Sequence, residues 1–367
     1  MKKISTLLFI ISVLALVSCN SIKDEIVIGG ALSLTGDNSL QGNRGYKGMM
    51  LAVDLANQEG GVNGKAIKLV AEDTQTSAKG AINALTKLFR VNKVTGAITT
   101  GDVEFQAIND ITNKEKIVTL ATICSGMLED NRSPYLFRYC FNEKIQDALL
   151  MQFVKNDMQA TEVALLYPNN LWGKEIEQYN EAGAKAAGVN INIKETYDPN
   201  SLDQKAVATK LFNQNPKIVC ARGFGSGFEA VLRYLSELGF NGTIIGDITI
   251  SLPGTINNTK GIAEGAYFVS VDLKPDGDAY TDQYKKLYQE KYNEESSVWD
   301  ALGFDTGKYL IEAIKTADKE NISLQEAMFK TDNVELLLGN NKFEGSNDVQ
   351  FEMSIFNIVD GNIVLVK

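Results

Sequence analysis

Short apolar runs and helix-like patterns alternate along this chain, beginning with the stretch Ile26–Asp73. An apolar run leads into a glycine-bearing loop, after which apolar residues recur at helical spacing between Tyr46 and Ala56. A glycine-rich turn and a second apolar run, Ile67–Val70, complete the stretch. This order predicts strand, loop, helix, turn and strand, which is one βαβ unit of an α/β sheet.

The alternation continues in two series. The first predicts helices at Ala78–Val91 and Val103–Lys114 and strands at Thr95–Thr99 and Ile117–Ala121. The second predicts strands and helices at Val163–Tyr167, Trp172–Ala187, Val189–Tyr197, Asp203–Asn213, Ile218–Ala221, Phe228–Leu238 and Thr243–Gly246. Long helices at Asp278–Tyr292 and Val298–Ala317 and a terminal hairpin turning at Asp360-Gly361 come after them. The pattern is typical of two doubly wound α/β sheets.

Ligands of open α/β sheets bind beyond the carboxyl ends of the strands, so the loops that come after strands are the candidate ligand loops. The loop Ser33–Gly42 has this position after the first predicted strand. Without further information, a nucleotide-handling enzyme fits this position as well as a binding protein does.

Charge and composition exclude several classes of function. The net charge of −10 comes without any basic block, which is a poor composition for binding nucleic acid. Because the chain has no histidine, it can hold neither a Ser-His-Asp triad, a Cys-His dyad nor a histidine metal site. Carboxylate chemistry remains open.

The amino terminus has the pattern of an export signal. Basic residues at Lys2 and Lys3 precede the apolar run Leu7–Val17, which is too short to span a bilayer. The run ends in Leu16-Val17-Ser18-Cys19, which resembles a bacterial lipobox. The resemblance implies that residues 1–18 are a lipoprotein signal peptide, that Cys19 is lipidated and that residues 19–24 are a tether. The alternative is an ordinary leader that contains a cysteine.

Three further cysteines, Cys124, Cys140 and Cys220, leave one that cannot pair. Cys124 and Cys140 could form a disulfide in an exported protein, or all three could be small buried hydrophobic residues.

A family resemblance rests on Ile26–Gly36, Gly42, Gly48, Asn57, Gly60–Gly64 and Asp73. These positions resemble the opening of a type I periplasmic binding protein, closest to the leucine/isoleucine/valine-binding proteins of ABC importers. The resemblance implies two Rossmann-like lobes joined by a three-strand hinge. Lobe 1 would comprise residues 25–141 and 272–345, and lobe 2 residues 142–271 and 346–367.

The same resemblance implies a function. The chain would be a monomeric, membrane-anchored extracytoplasmic protein that captures a branched-chain or other amino acid, or an amide, between closing lobes. It would deliver this small polar solute to ABC permease subunits, with no cofactor, no metal and no catalysed reaction.

Two loops of lobe 1 would bind the solute's α-carboxylate, according to the resemblance: Thr100-Gly101-Asp102 and Ile123-Cys124-Ser125. Ser125 fits, whereas Asp102 stands where serine is usual and would repel a carboxylate. Asp102 could instead point away as a helix cap. If it faces the ligand, the ligand should bring a hydrogen-bond donor.

The resemblance also assigns five further ligand positions to this chain. Gln41 stands where an aromatic residue often covers the ligand, and Phe304 matches an aromatic position near the hinge. In lobe 2, Trp172 and Phe224 match aromatic positions, and Asp247 lies near the family's acidic partner for an amino group. Core packing for the aromatic residues, and capping of the next segment for Asp247, remain alternatives.

Other functions stay open on sequence alone. Gly223–Gly227 comes after a predicted strand and could cradle a phosphate, although it lacks a full GxGxxG pattern. Acidic pairs such as Asp102 with Glu104, or Glu294 with Glu295, could indicate a glycosidase, but such pairs are common on solvated surfaces. A ligand-sensing receptor domain without transport is the third alternative.

Overall fold

The computed structural model describes residues 25–124, 131–271, 278–339 and 341–366. The described chain forms two compact units. The first runs to Tyr139 and includes Tyr284–Val334 and Phe343–Asn347; the second comprises Cys140–Gln283, Glu335–Lys342 and the chain from Asp348 onward. No helix in the described ranges combines the length and the apolar composition that crossing a bilayer requires.

The first unit contains a five-stranded parallel sheet in the order β2-β1-β3-β4-β5. Its strands are β1 (Ile26–Leu32), β2 (Ile67–Asp73), β3 (Gly96–Thr100), β4 (Thr119–Thr122) and β5 (Leu136–Arg138). Strands β3, β4 and β5 are buried along their whole length, as expected for a parallel sheet that is covered on both faces.

Helices of the first unit alternate with the strands. They are α1 (Ser39–Gln58), α2 (Ala78–Arg90), α3 (Asp102–Ala107) and α4 (Asn109–Glu115), with α10 (Ala279–Tyr292), α11 (Val298–Glu320) and α12 (Leu324–Lys330) from the later segment. The unit boundary falls inside α10, which belongs to the first unit from Tyr284 onward.

Helices α1 and α11 approach so closely that glycine is required where they touch. A Cβ atom on Gly48 would lie 1.9 Å from the carbonyl oxygen of Asp300, and one on Gly303 would lie 2.1 Å from that of Gly45. Reciprocal glycines therefore let the two backbones meet without intervening side chains.

The second unit contains a seven-stranded sheet in the order β12-β11-β10-β9-β8-β6-β7. Its strands are β6 (Glu162–Pro168), β7 (Asn190–Tyr197), β8 (Ile218–Ala221), β9 (Thr243–Asp247), β10 (Tyr267–Val271), β11 (Met353–Val359) and β12 (Asn362–Leu365). Strands β6 to β10 are parallel, and β11 and β12 form the predicted antiparallel hairpin. Asp360 and Gly361 both have positive φ angles, as the two-residue type I′ turn requires.

Helices of the second unit are α5 (Glu143–Asn156), α6 (Leu171–Ala187), α7 (Lys205–Asn213), α8 (Gly225–Glu237) and α9 (Pro253–Asn258). A 3₁₀ turn, Ile248–Ser251, lies between β9 and α9. The predicted α/β class with two largely parallel sheets is confirmed.

Among the helices, the predicted element map is wrong at one place and lacks three helices, α5, α9 and α12. The helix predicted at Val103–Lys114 is two short helices, because the chain breaks at Ile108 between Ala107 and Asn109. Helix α5 was not predicted. Three of its buried positions, Glu143, Gln146 and Asp147, are polar, and they interrupt the apolar periodicity that would indicate a helix.

Candidate functional site

Four loops meet at the strand-end edge of the first sheet, which we define as the ends of β1, β2, β3 and β4. Thr100 lies beside Thr122 in the pairing of β3 with β4, and the Gly101 N–H donates to the Thr122 carbonyl at 3.3 Å. Ser33 comes directly after β1, and its N–H donates to Thr100 Oγ1 at 2.9 Å. The predicted loop residues Thr100 and Gly101 therefore sit at the centre of this edge.

A carboxyl group is buried beneath these loops. Glu104 is inaccessible to solvent, and its Oε1 accepts hydrogen bonds of 2.6 Å from the hydroxyls of Ser33 and Thr74. Burial raises the pKa of the Glu104 carboxyl above its usual range, against these two hydrogen bonds, which lower it. The interpretation of Glu104 as part of a solvated acidic pair is therefore wrong.

Asp102 does not cap the helix that begins after β3. Gly101 is the N-cap, because its carbonyl accepts the first intrahelical hydrogen bond from Phe105 N–H at 3.0 Å. Gly101 has a φ of 96°, which glycine adopts readily, and Asp102 is the first helical residue, partly exposed. The capping interpretation of Asp102 is wrong, and its proximity to Glu104 contributes to the raised pKa of Glu104.

The remaining predicted residues of the first unit lie at different depths. Ile123 comes after β4 in a left-handed conformation with a φ of 53°. Gln41 is buried in the first turn of α1, 3% exposed. Phe304 is buried in α11, where its ring packs against Tyr284 at a centroid distance of 4.9 Å. Ser125 lies outside the described residues.

The loop after β1 is fixed by Asp73 at the end of β2. The Asp73 carboxylate accepts hydrogen bonds from the N–H groups of Leu34, Thr35 and Gln75 and from the Thr35 hydroxyl. Burial raises the pKa of this carboxyl, but the four hydrogen bonds outweigh burial and hold it below its usual range. Asp73 thereby orders the Ser33–Gly42 loop that the sequence singled out.

In the second unit, two of the predicted aromatic residues lie together at the strand ends. The rings of Trp172 and Phe224 are 5.5 Å apart and tilted by 45°, and both residues are partly exposed. Trp172 Nε1 donates to both carboxylate oxygens of Glu143 at 3.1 Å. Asn170 caps α6 through Gly173 N–H, and this fixes the turn that carries Trp172.

The buried guanidinium of Arg222 anchors the pair of Trp172 and Glu143. Arg222, at the end of β8, is inaccessible to solvent, and its Nε donates to Asp247 at 2.9 Å. Its Nη1 donates to Asp147, and its Nη2 lies 3.7 Å from Glu143 Oε2. Arg222 is therefore the hub that links β8, β9 and α5, and through Glu143 it reaches Trp172.

Asp247 serves both the capping role and the ion pair. Its Oδ1 accepts hydrogen bonds from the N–H and hydroxyl of Thr249 and so caps the 3₁₀ turn, while Oδ2 accepts from Arg222. Both of its oxygens are already engaged within the protein.

The local backbone of Gly223–Gly227 explains why glycine occupies these positions. A Cβ on Gly223 would lie 1.8 Å from Tyr197 Oη, and one on Gly227 would lie 2.4 Å from the Pro199 carbonyl. Gly225 has a φ of 79°, which an L side chain rarely adopts. These glycines let the loop carry Phe224 beside Trp172.

The three cysteines of the described residues, Cys124, Cys140 and Cys220, are buried free thiols, so the considered pairing of Cys124 with Cys140 is not formed. Cys220 lies in β8, and burial raises its pKa well above its usual range. Its thiol donates to Asn180 at 3.3 Å, and Asn180 in turn donates to Asp147 at 2.9 Å. This network is structural support for the Arg222 hub.

Sequence reasoning missed Thr74, Glu143, Asp147 and Arg222, and it named Ser33 only as the first residue of the Ser33–Gly42 loop. Three of these could have been read from strand positions, because Ser33, Thr74 and Arg222 come immediately after β1, β2 and β8. Their position at strand ends was the available signal. Glu143 and Asp147, one helical turn apart in α5, would have needed that helix to be recognised first.

Comparison with known proteins agrees with this architecture. The family model described as periplasmic binding protein matches residues 25–362. Leu/Ile/Val-binding protein homolog 3 of Brucella melitensis is 22% identical over 347 residues, which cover 93% of each chain.

Solved structures share the fold. The Streptococcus pneumoniae branched-chain amino acid transporter substrate-binding protein LivJ, in complex with isoleucine, has a TM-score of 0.81 at 21% identity, covering 94% of this chain and 100% of that one. An R. palustris ABC-transporter solute-binding protein in complex with benzoate has a TM-score of 0.80 at 17% identity, covering 93% and 95%. With a family model that spans nearly the whole described chain, and with this fold, the protein belongs to the periplasmic binding protein family and has its type I fold.

Proposed function

We propose that this chain is the extracytoplasmic solute-binding lipoprotein of an ABC importer, and that it captures an amino acid or an amide. The observation that carries the proposal is the family match over residues 25–362, on two α/β units that each place polar or aromatic residues at strand ends. No reaction is part of the proposal.

The proposed solute contacts come from the two strand-end regions, each taken by itself. In the second unit, the solute packs against Trp172 and Phe224, since these rings are partly exposed and Glu143 orients the indole. In the first unit, the contacts are Gln41, the Thr100–Asp102 loop and the Ile123–Ser125 loop.

Asp247 and Phe304 hold these regions in place indirectly, through other side chains. Asp247 acts through Arg222, and Phe304 acts by packing α11 against Tyr284 of α10. Ligand-driven closure of the two units, and a monomeric state, stay predictions from the resemblance.

The names of relatives define which solutes to test. One relative is a Leu/Ile/Val-binding protein homologue, one solved relative holds isoleucine and another holds benzoate. Native mass spectrometry of the freshly purified chain should therefore show a retained small solute, and tandem fragmentation should identify it as an amino acid or an amide. A retained aromatic acid would move the solute class to that of the benzoate relative, and a retained nucleotide would contradict the proposal.

Lipid anchoring through Cys19 is the second part of the proposal, and Cys19 lies outside the described residues. Cys19→Ala should leave full-length precursor that takes up no labelled palmitate, because the acylated thiol and the cleavage signal are lost together. Cys140→Ala, which changes a buried thiol, is the matched control and should be processed normally. Palmitate labelling that persists in Cys19→Ala would show that the lipobox interpretation is wrong.

Transport and sensing share this binding step and differ in the fate of the bound solute. Loss of the chain should abolish uptake of its solute by cells if it serves an importer. Unchanged uptake with a lost transcriptional or motility response would favour the receptor alternative.

A further inference from the structure

Three polar side-chain atoms at the strand-end edge of the first unit are buried without a hydrogen-bond partner among the described residues. They are Gln41 Oε1, Glu104 Oε2 and Thr122 Oγ1. The three residues are between 0 and 3% exposed. Buried polar atoms normally have partners, because leaving one unsatisfied costs free energy of folding. Three such atoms at one sheet edge therefore point to a missing partner.

The three residues belong to one place in the first unit. The first turns of α1 lie on the loop after β1, since a Cβ on Gly42 would be 2.0 Å from the Ser33 carbonyl oxygen. Gln41 is the neighbour of Gly42 on this turn, and Ser33 is hydrogen bonded to Glu104. Thr122 is tied to the same edge by its carbonyl, which accepts from the Gly101 N–H.

The hydroxyls of Ser33, Thr74 and Thr100 at this edge are already engaged, whereas the Thr122 hydroxyl has no partner among the described residues. The hydroxyls of Ser33 and Thr74 both donate to Glu104 Oε1. Thr100 Oγ1 accepts from Ser33 N–H at 2.9 Å and lies 3.4 Å from Ser33 Oγ. A ligand carboxylate at this edge would compete with Glu104 for these donors and would approach two acidic residues, Asp102 and Glu104.

Gly101 lies directly against the Glu104 carboxylate. A Cβ at Gly101 would lie 2.5 Å from Glu104 Oε2 and 3.1 Å from Asn38 Nδ2. A side chain at residue 101 would therefore crowd the unsatisfied Oε2. Gln41 Oε1 is an acceptor only, and so is Glu104 Oε2 when the carboxyl group is ionised.

We propose that the solute group bound at this edge of the first unit is an N–H donor, an ammonium or a carboxamide, which Glu104 Oε2 and Gln41 Oε1 accept. This inference rests on the proposed function and narrows its solute class. A donor nitrogen would give these buried acceptors the hydrogen bonds that the described residues do not supply. Because the acceptors are already desolvated in the free protein, binding does not have to remove water from them. It also departs from the carboxylate that the resemblance assigns to the same loops.

The test uses leucine, leucinamide, isoamylamine, isocaproamide and isocaproate, which share one branched apolar group and differ in polar ends. Calorimetry should show that isocaproate, the compound without N–H, binds at least about tenfold more weakly than the tightest of the others. Leucinamide should bind at least as tightly as leucine. A preference for the amine or for the amides then identifies the donor.

Glu104→Gln tests the acceptor directly, because its amide nitrogen replaces Oε2 by a donor at nearly constant size. The tightest N–H compound should lose at least about tenfold in affinity, whereas isocaproate should gain. Glu326→Gln, at an exposed position of α12, is the matched control and should leave affinities unchanged. If Glu104→Gln proves unstable by circular dichroism, Gln41→Met removes the second acceptor and should weaken the same compound severalfold.

Two outcomes separate the inference from the proposed function. If isocaproate binds within about threefold of the tightest compound, or if Glu104→Gln and Gln41→Met both leave affinity for that compound unchanged, the donor inference is wrong and solute capture stands. If none of these five compounds binds the wild-type chain, capture of amino acids or amides is itself wrong and the donor inference falls with it.

Discussion

Arg222→Met should destabilise the second unit by about 3–5 kcal/mol, because it leaves buried carboxylates without their cation. Arg222 is inaccessible to solvent and is hydrogen bonded to both Asp147 and Asp247, which are themselves 0% and 5% exposed. Methionine fills a similar volume, so the loss comes from charge rather than from a cavity. Urea unfolding, together with hydrogen exchange on β8 peptides, measures it.

Neutralising the carboxylates should recover much of this loss. Asp147→Asn and Asp247→Asn, added together to Arg222→Met, remove the two buried charges that the substitution strands. Lys260→Met, which breaks the exposed pair with Glu237, is the matched control and should change the free energy of unfolding by about 1 kcal/mol or less. Equal effects of Arg222→Met and Lys260→Met would mean that the guanidinium does not organise this unit.

Gly48→Ala should destabilise the first unit by roughly 3 kcal/mol or more, even though alanine is the better helix former by about 1 kcal/mol. Its Cβ would lie 1.9 Å from the Asp300 carbonyl oxygen and 2.6 Å from Phe304 N. Both are backbone atoms within α11, so relief requires that α1 and α11 separate rather than that a side chain rotates. Thermal and urea unfolding measure the loss.

Gly254→Ala supplies the comparison in another helix. Apart from its chain neighbours and its own helix backbone, the one described heavy atom within 4 Å of its Cβ position is Glu229 Oε1 at 3.0 Å, the far end of a flexible side chain. This substitution should be neutral or slightly stabilising, as propensity alone dictates. Were Gly48→Ala to behave like Gly254→Ala, the close backbone contact of α1 with α11 would be wrong.

Hydrophobic periodicity was sufficient to predict both sheets and most of the helices. The strand Ile218–Ala221 agrees with its prediction residue for residue, and α11 begins at Val298 as predicted. Periodicity failed at α5, where Glu143 and Asp147 occupy positions that face inward. Polar residues at inward positions serve the Arg222 hub and the Trp172 indole, so the signal fails where the candidate site is built.

Which carboxylate at the candidate site is buried could be determined only from the structure. In the sequence, Asp102 and Glu104 are equivalent neighbours in an acidic pair. In the fold, Gly101 takes the N-cap position, Asp102 stays partly exposed, and Glu104 turns inward to Ser33 and Thr74. Sequence separation within a six-residue helix does not determine which carboxylate is buried, because loops from two other strands supply its partners.

The central claim, that this chain binds a small amino-acid or amide solute, is tested most directly by titrating a chain whose only tryptophan is Trp172. The sequence has two tryptophans, and Trp299→Phe removes the other. Saturable change in Trp172 emission with branched-chain amino acids or their amides, absent with sugars and nucleotides, is the predicted result. Calorimetry on Trp172→Ala should then show the same solute bound at least about tenfold more weakly. No saturable response to any amino acid or amide, in emission or in heat, would contradict the account.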